Sequence, residues 1–213
     1  MRTLPRLLVV TDRHQVRPGR RLTDVVRECV DGGARAVLLR ERDLDPTSYD
    51  RAADTITAAL EPVGGVLVVR DSARAHPDHG VHLRSGDPLP RTRHRLLGRS
   101  VHDPAGLAAA RTAGLDYVTY SPVAPTESKP GYGPALGASG VRRAVAAVPG
   151  APAVLALGGV QPLLVPDLLR AGAHGVAVMG SVMCSDDPGR LVHDLLQHIH
   201  QTCPTTHTEE SPA

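Results

Sequence analysis

Short apolar runs recur along this chain, separated by segments with a different apolar spacing. The runs are Leu7–Thr11, Ala36–Leu39, Val66–Val69, Gly80–Leu83, Leu96–Gly98, Tyr117–Tyr120, Ala153–Leu157 and Gly175–Met179. Each is continuous rather than alternating, which suits strands of a parallel sheet buried on both faces. Between them the period changes to that of an amphipathic helix. Leu22–Val30 puts Leu22, Val25, Val26 and Cys29 on one side, and Tyr49–Leu60, Ala105–Ala113, Ser139–Val148, Leu163–Ala171 and Pro188–Ile199 have the same character. In Asp31-Gly32-Gly33, Ala113-Gly114 and Ala171-Gly172 a glycine stands where a helix hands over to the next strand, which is normal C-cap chemistry. Strand–helix alternation implies a parallel sheet, and eight units favour closure. The predicted fold is α/β, a compact (β/α)8 TIM barrel. The stretches after the third and fourth strands are short, so stunted helices are expected there.

A length of 213 residues fits one domain, on a prior of ~100–200 residues per domain. Residues 1–202 are read as a single barrel domain, and 203–213, CPTTHTEESPA, as a disordered polar tail. With no Phe, no Trp and four Tyr, the core must be filled by Leu, Val and Ala. Balanced charge, +2 overall, gives no footprint for nucleic acid. Leu7–Val10 is too short for a secretion signal or a membrane span. Cys29, Cys184 and Cys203 fit neither a disulfide framework nor a zinc spacing, so a cytoplasmic protein with reduced thiols is expected. Lys129 is the only lysine; every other strongly basic residue is Arg. A lysine kept under that bias marks a place where a compact ammonium and a planar guanidinium are not equivalent.

Chemistry in such a barrel sits in the loops that follow the strands. Those junctions carry Arg40-Glu41-Arg42-Asp43, Arg70-Asp71, Arg84-Ser85-Gly86-Asp87, Arg99-Ser100-Val101-His102, a proline-rich loop from Ser121 to Gly133, Gly158-Gly159 and Gly180-Ser181. Bare amides after the last two strands favour an anion such as phosphate, although glycines also simply turn a chain. Asp71 and Asp87 end neighbouring strands. With Arg40, Arg42 and Lys129 nearby they suit a Mg2+-bound diphosphate, because Mg2+ prefers one or two carboxylates plus phosphate oxygens and water. The alternative is a surface ion-pair network with Arg70 and Arg84. His102 has the position of an acid or base, with a surface role as its alternative. His193, His198 and His200 show no metal-ligand spacing and read as a solvent face.

The runs Leu39-Arg-Glu-Arg-Asp-Leu44, Arg70-Asp71, Gly80-Val-His-Leu83 through Gly86-Asp87, Gly98-Arg-Ser-Val-His102, Pro122-Val-Ala-Pro-Thr-Glu-Ser-Lys-Pro130, Leu157-Gly-Gly-Val160 and Gly172–Met179 together resemble the thiamine phosphate synthase and thiazole tautomerase superfamily. The likeness spans about Leu7 to Leu196, and the P-T-x-S-K loop is its most specific element. It implies a transferase joining hydroxymethylpyrimidine diphosphate to a thiazole phosphate with release of pyrophosphate. By position, Lys129, Ser100 and His102 become the candidate catalytic residues. Arg40, Arg42 and Lys129 would hold the diphosphate, and Asp71 and Asp87 would bind Mg2+. Ser100 would lie near the pyrimidine. Thr126, Ser128, Gly159, Met179 and Gly180 would receive the thiazole phosphate.

Three positions depart from the family's pattern. Its usual Asn beside the first metal carboxylate is Arg70, its second diphosphate lysine is Arg42, and a pyrimidine-contacting Gln is Leu38. The resemblance equally covers a tautomerase using His102, and a non-catalytic barrel that binds thiamine precursors is the reading from another class. Asp87 and the T-x-S-K loop favour the synthase. The partners expected are small phosphorylated pyrimidine and thiazole molecules, with no nucleic acid, no membrane, and a homo-oligomer left open.

Overall fold

The computed structural model describes residues 4–70, 72, 75–92, 94–125 and 135–203. Eight parallel strands close into a barrel in chain order: β1 (Leu7–Val10), β2 (Ala36–Leu39), β3 (Val66–Val69), β4 (Gly80–Leu83), β5 (Leu96–Val101), β6 (Tyr117–Tyr120), β7 (Ala153–Leu157) and β8 (Gly175–Val178). Pairing of β1 with β8, through Leu7 with Val176 and Val9 with Val178, removes the free edges of the sheet. Around it lie α1 (Leu22–Asp31), α2 (Pro46–Leu60), α3 (Pro104–Thr112), α4 (Gly137–Ala147), α5 (Val165–Arg170), α6 (Gly180–Met183) and α7 (Pro188–Thr202). Among the described residues none of these is long and apolar enough to cross a membrane.

Local chemistry starts several helices cleanly. Asp45, Asp103 and Asp187 each cap a helix by accepting from the backbone N–H three residues on, and each is followed by a proline at the first helical position. Gly33, Gly114 and Gly172, with φ of +111°, +67° and +100°, turn the chain out of α1, α3 and α5. The outer ring closes where α7 meets α1. A Cβ on Gly32 would stand 2.2 Å from the Gly189 carbonyl oxygen, so the two backbones approach directly.

Two cores follow from the two faces of the strands. Leu7, Val9, Val37, Leu39, Val69 and Val81 face the helices. Leu8, Val10, Ala36, Leu38, Val66, Val68, Leu96, Tyr117, Leu155 and Ala177 fill the barrel interior. Because side chains alternate between faces, the inward set continues in steps of two past the strand ends, onto Arg40, Arg70, Arg84 and His102. That phase decides which residues can meet over the barrel.

The structure departs from the apolar pattern in places. The fifth strand does not stop at Gly98; β5 runs to Val101, because Ser100 pairs with Thr119 and Val101 with Tyr120. Arg99 and Ser100 are therefore strand residues, not loop residues. No helix stands between β3 and β4 or between β4 and β5 among the described residues, so the expected stunted helices give way to irregular chain. The helix read over Leu163–Ala171 divides into a 3-10 turn, Pro162–Leu164, and α5. Of the tail, Cys203 caps α7, and residues 204–213 lie outside the described residues.

Candidate active site

A cavity of about 690 Å3 opens at the C-terminal ends of the strands. Leu38, His82, Ser100, Thr119, Leu157 and Ala177 form its floor, all from inward positions. One wall carries Arg40, Arg42, Arg70 and Arg84, from β2 to β4. The opposite wall carries Gly158, Gly159, Met179, Gly180 and Ser181, from β7 and β8. Leu38, Arg40, Arg42, Arg70, Ser100, His102, Gly159, Met179 and Gly180, expected at the site from sequence, thus share one cavity. Asp71, Thr126, Ser128 and Lys129 lie outside the described residues.

The arginine wall is electrostatically under tension. Burial, then the nearby positive charges of Arg42, Arg84 and Arg40, pull the Arg70 guanidinium down to about 10. Arg40 is lowered by burial and by Arg42, and Asp12, 3.7 Å from its Nη1, offsets part of this. Among the described residues Asp12 is the one acidic partner in an ion pair with any of the four, and Gln15 already donates to it at 2.8 Å. Positive charges crowded in a half-buried wall favour a polyanion that neutralises them together.

Asp87 stands at the rim rather than in the wall. Its Oδ2 accepts from the Arg84 backbone N–H at 2.8 Å, and its carbonyl accepts from Arg99 Nη2 at 2.6 Å. Among the described residues its carboxylate makes no ion pair, so the surface network with Arg70 and Arg84 is not formed by it. No group of three or more His, Cys, Asp or Glu side chains converges to hold a metal among the described residues. Among the described residues Asp87 is the one carboxylate of the two expected metal ligands, and a cation shared with substrate phosphates needs one or two.

Gly159 has a structural task as well as an expected binding one. Its φ is +64°, and a Cβ there would lie 2.2 Å from the Pro125 carbonyl oxygen. Only glycine lets the turn after β7 pass beneath the chain leaving β6. Gly180 and Ser181, the first residues of α6, line the cavity, and the opening amides of a helix lack the usual intrahelical acceptor. His102 approaches Ser121, with Nδ1 2.9 Å from the carbonyl oxygen; the ring therefore carries its proton on Nδ1 and donates it there.

Nothing in the local pattern marked a role for His82, although it stands in the motif Gly80-Val-His-Leu83. Its Nδ1 lies 3.1 Å from the Tyr117 hydroxyl and its Nε2 3.0 Å from Ser100 Oγ, with Thr119 Oγ1 at 3.4 Å. The ring is 4 % exposed, and burial pulls it down to about 3, so it is neutral. A histidine in an otherwise apolar inward phase was the available signal. Gln15 in the wall and Thr119 in the floor likewise became evident as lining residues only in three dimensions.

Residues 7–182 match the model of the thiamine monophosphate synthase family. The chain is 38 % identical over 191 residues to the thiamine-phosphate synthase of Xanthobacter autotrophicus, covering 85 % of this chain and 89 % of that one. It is 34 % identical over 204 residues to that of Methanoregula boonei, covering 91 % and 92 %. Among solved structures, thiamine phosphate pyrophosphorylase from Pyrococcus furiosus superposes with a TM-score of 0.77 at 24 % identity, covering 93 % of this chain and 96 % of that one. A (S)-3-O-geranylgeranylglyceryl phosphate synthase from Thermoplasma acidophilum reaches 0.63 at 15 % identity over 92 % and 93 %, so the barrel alone does not set the chemistry. Sequence match over most of the chain, with the arginine wall facing the glycine wall, assigns it: this chain belongs to the thiamine monophosphate synthase family, transferases built on a (β/α)8 barrel.

Proposed function

We propose that this protein joins hydroxymethylpyrimidine diphosphate to thiazole (carboxylate) phosphate in a Mg2+-dependent reaction that releases pyrophosphate. The observation that carries this is the convergence of Arg40, Arg42, Arg70 and Arg84 on one cavity wall. That much positive charge exceeds what a monophosphate needs and matches a diphosphate.

In this reading the arginines hold the diphosphate oxygens while the pyrimidine ring lies on the floor by Ser100 and Leu38. The bond between the pyrimidine methylene carbon and the diphosphate oxygen breaks, and its electron pair leaves with pyrophosphate. The thiazole nitrogen then gives its lone pair to that carbon, forming the C–N bond. A thiazole that carries a carboxylate also loses it as CO2, and the electron pair of the broken C–C bond takes up a proton at the ring carbon. Guanidinium groups fixed in place before the bond breaks stabilise the charge that develops on the leaving group. The thiazole phosphate sits on the amides of Gly159 and Gly180 beside Met179, with Thr126 and Ser128 contributing from the loop after β6 and Lys129 reaching the diphosphate. The barrel's further contribution is holding two reactants in line. Asp87 and Asp71 would be the residues to hold Mg2+, which when bound would supply further charge neutralisation for the pyrophosphate. Three free thiols support a reducing, cytoplasmic setting.

The test mixes purified protein, both substrates and Mg2+, and follows thiamine phosphate by fluorescence after oxidation. Turnover that requires Mg2+ and is lost in Asp87→Asn is the expected result. No thiamine phosphate, with the thiazole instead isomerised and His102→Ala inactive, assigns the protein as a tautomerase.

A further inference from the structure

Beneath Ser100 the floor of the cavity contains two buried polar residues, His82 and Tyr117, that the proposed reaction leaves without a task. Tyr117, His82 and Ser100 come from β6, β4 and β5, and Tyr117 and His82 are buried to within 3 % and 4 % of full coverage. Tyr117 is held rigidly, because its ring occupies the space that a side chain on Gly98 would need. Its ring also stacks on that of His82, with centroids 5.5 Å apart.

The direction of the chain follows from counting donors and acceptors. Burial pushes the Tyr117 phenol up, so the hydroxyl keeps its proton. Among the described residues its hydrogen-bond partner is His82 Nδ1. Were Nδ1 protonated, the phenolic proton would be buried with no acceptor, an arrangement that native interiors avoid. The phenol therefore donates to Nδ1, and the neutral ring carries its proton on Nε2. Nε2–H donates to Ser100 Oγ at 3.0 Å, and the Thr119 hydroxyl, 3.5 Å away, donates to the same oxygen. With both lone pairs of Ser100 Oγ engaged, its own proton has only the cavity left to point into.

We infer that Tyr117 and His82 are positioning residues that turn Ser100 into a one-way hydrogen-bond donor, so that the floor accepts a heteroaromatic ring presenting an unprotonated, in-plane nitrogen. Leu38, which also lines the floor, offers no donor or acceptor, so Ser100 reads that ring feature. This deepens the proposed function and rests on it for the identity of the ring. The hydrogen-bond direction itself does not.

Two measurements test it. In ligand-free, 15N-labelled protein, long-range 15N–1H correlation reads the protonation of each histidine ring, and His82→Gln assigns the His82 signals. A neutral His82 protonated on Nε2 is expected; a proton on Nδ1, or an imidazolium at neutral pH, overturns the inference. Calorimetry then compares hydroxymethylpyrimidine diphosphate with two pyridine analogues, each with one ring nitrogen replaced by CH. One analogue is expected to bind wild type about five- to tenfold more weakly, the worth of one hydrogen bond. That gap should close in Ser100→Ala and shrink in Tyr117→Phe, which keeps the ring packed against Gly98. Equal binding of all three molecules overturns the inference even if thiamine phosphate is formed. Discrimination and tautomer intact, with no thiamine phosphate made, rejects the synthase reading and leaves the relay standing.

Discussion

Gly98 lies directly under the ring of Tyr117: a Cβ on the glycine would stand 2.2 Å from Tyr117 Cζ. The two residues are also partners in the β5–β6 pairing, so neither backbone can yield without disturbing the barrel. Gly98→Ala is therefore expected to destabilise the fold by about 1–3 kcal/mol, the usual cost of overpacking. Displacement of the Tyr117 hydroxyl would also weaken binding of the pyrimidine diphosphate. Denaturant midpoints and calorimetry check the two effects, and an alanine variant as stable as wild type would show that the ring has room to move.

Arg70 presents opposite demands in the free and bound protein. Free, it is crowded by Arg40, Arg42 and Arg84. Arg70→Gln should leave the free protein as stable as wild type or more so, while lowering affinity for inorganic pyrophosphate. Loss of one charge-assisted bond, about 1.5–3 kcal/mol, corresponds to roughly 10- to 100-fold. Thermal unfolding with and without pyrophosphate separates the two: the ligand-induced rise in Tm should shrink in the variant.

His82 sets a pH dependence of stability with a definite sign. Its folded-state value is near 3, against 6.5 for an ordinary imidazole. Between these the unfolded chain binds a proton that the folded one does not, so stability falls as pH drops through this window and is fully retained above it. The slope contributed is up to about 1.4 kcal/mol per pH unit. His79 and His174, also lowered chiefly by burial, act in the same direction. Urea denaturation at a series of pH values should give a shallower slope for His82→Gln than for wild type; parallel slopes would assign the acid sensitivity to other groups.

At Gly159 an alanine meets two obstacles. The backbone has φ +64°, and the new methyl would lie 2.2 Å from the Pro125 carbonyl oxygen. A left-handed conformation costs a non-glycine residue roughly 1–2 kcal/mol before any clash. Gly159→Ala is expected to lower stability by at least that amount and to displace the chain after β6 together with whatever it contributes to phosphate binding. A KM for the thiazole phosphate raised more than that for the pyrimidine diphosphate is the kinetic sign. Equal changes in both would point to general unfolding instead.

Cys29 gives a simple control on how the chain is used. Burial raises its thiol to about 12, whereas Cys184 is exposed and lines the cavity. An alkylating reagent applied to the folded protein should label Cys184 and leave Cys29 untouched until denaturant is added, and pyrophosphate should slow labelling of Cys184. Mass spectrometry of the labelled peptides reads this directly.

The strand–helix alternation determined the fold from sequence, because eight continuous apolar runs separated by helical periods have few solutions besides a closed parallel barrel. Position at the strand ends likewise marked Arg40, Arg42, Arg70, Gly159 and Gly180 as rim residues, since active sites of such barrels form on one face. What the sequence left open are relationships across strands. The extent of β5 depends on backbone pairing with β6, which apolarity does not encode, so Ser100 read as a loop residue. The contact between His82 and Tyr117 joins residues 35 apart through two strand pairings. Local spacing specifies which face a side chain takes, but lateral register specifies which neighbour it meets, and register exists only once the barrel has closed.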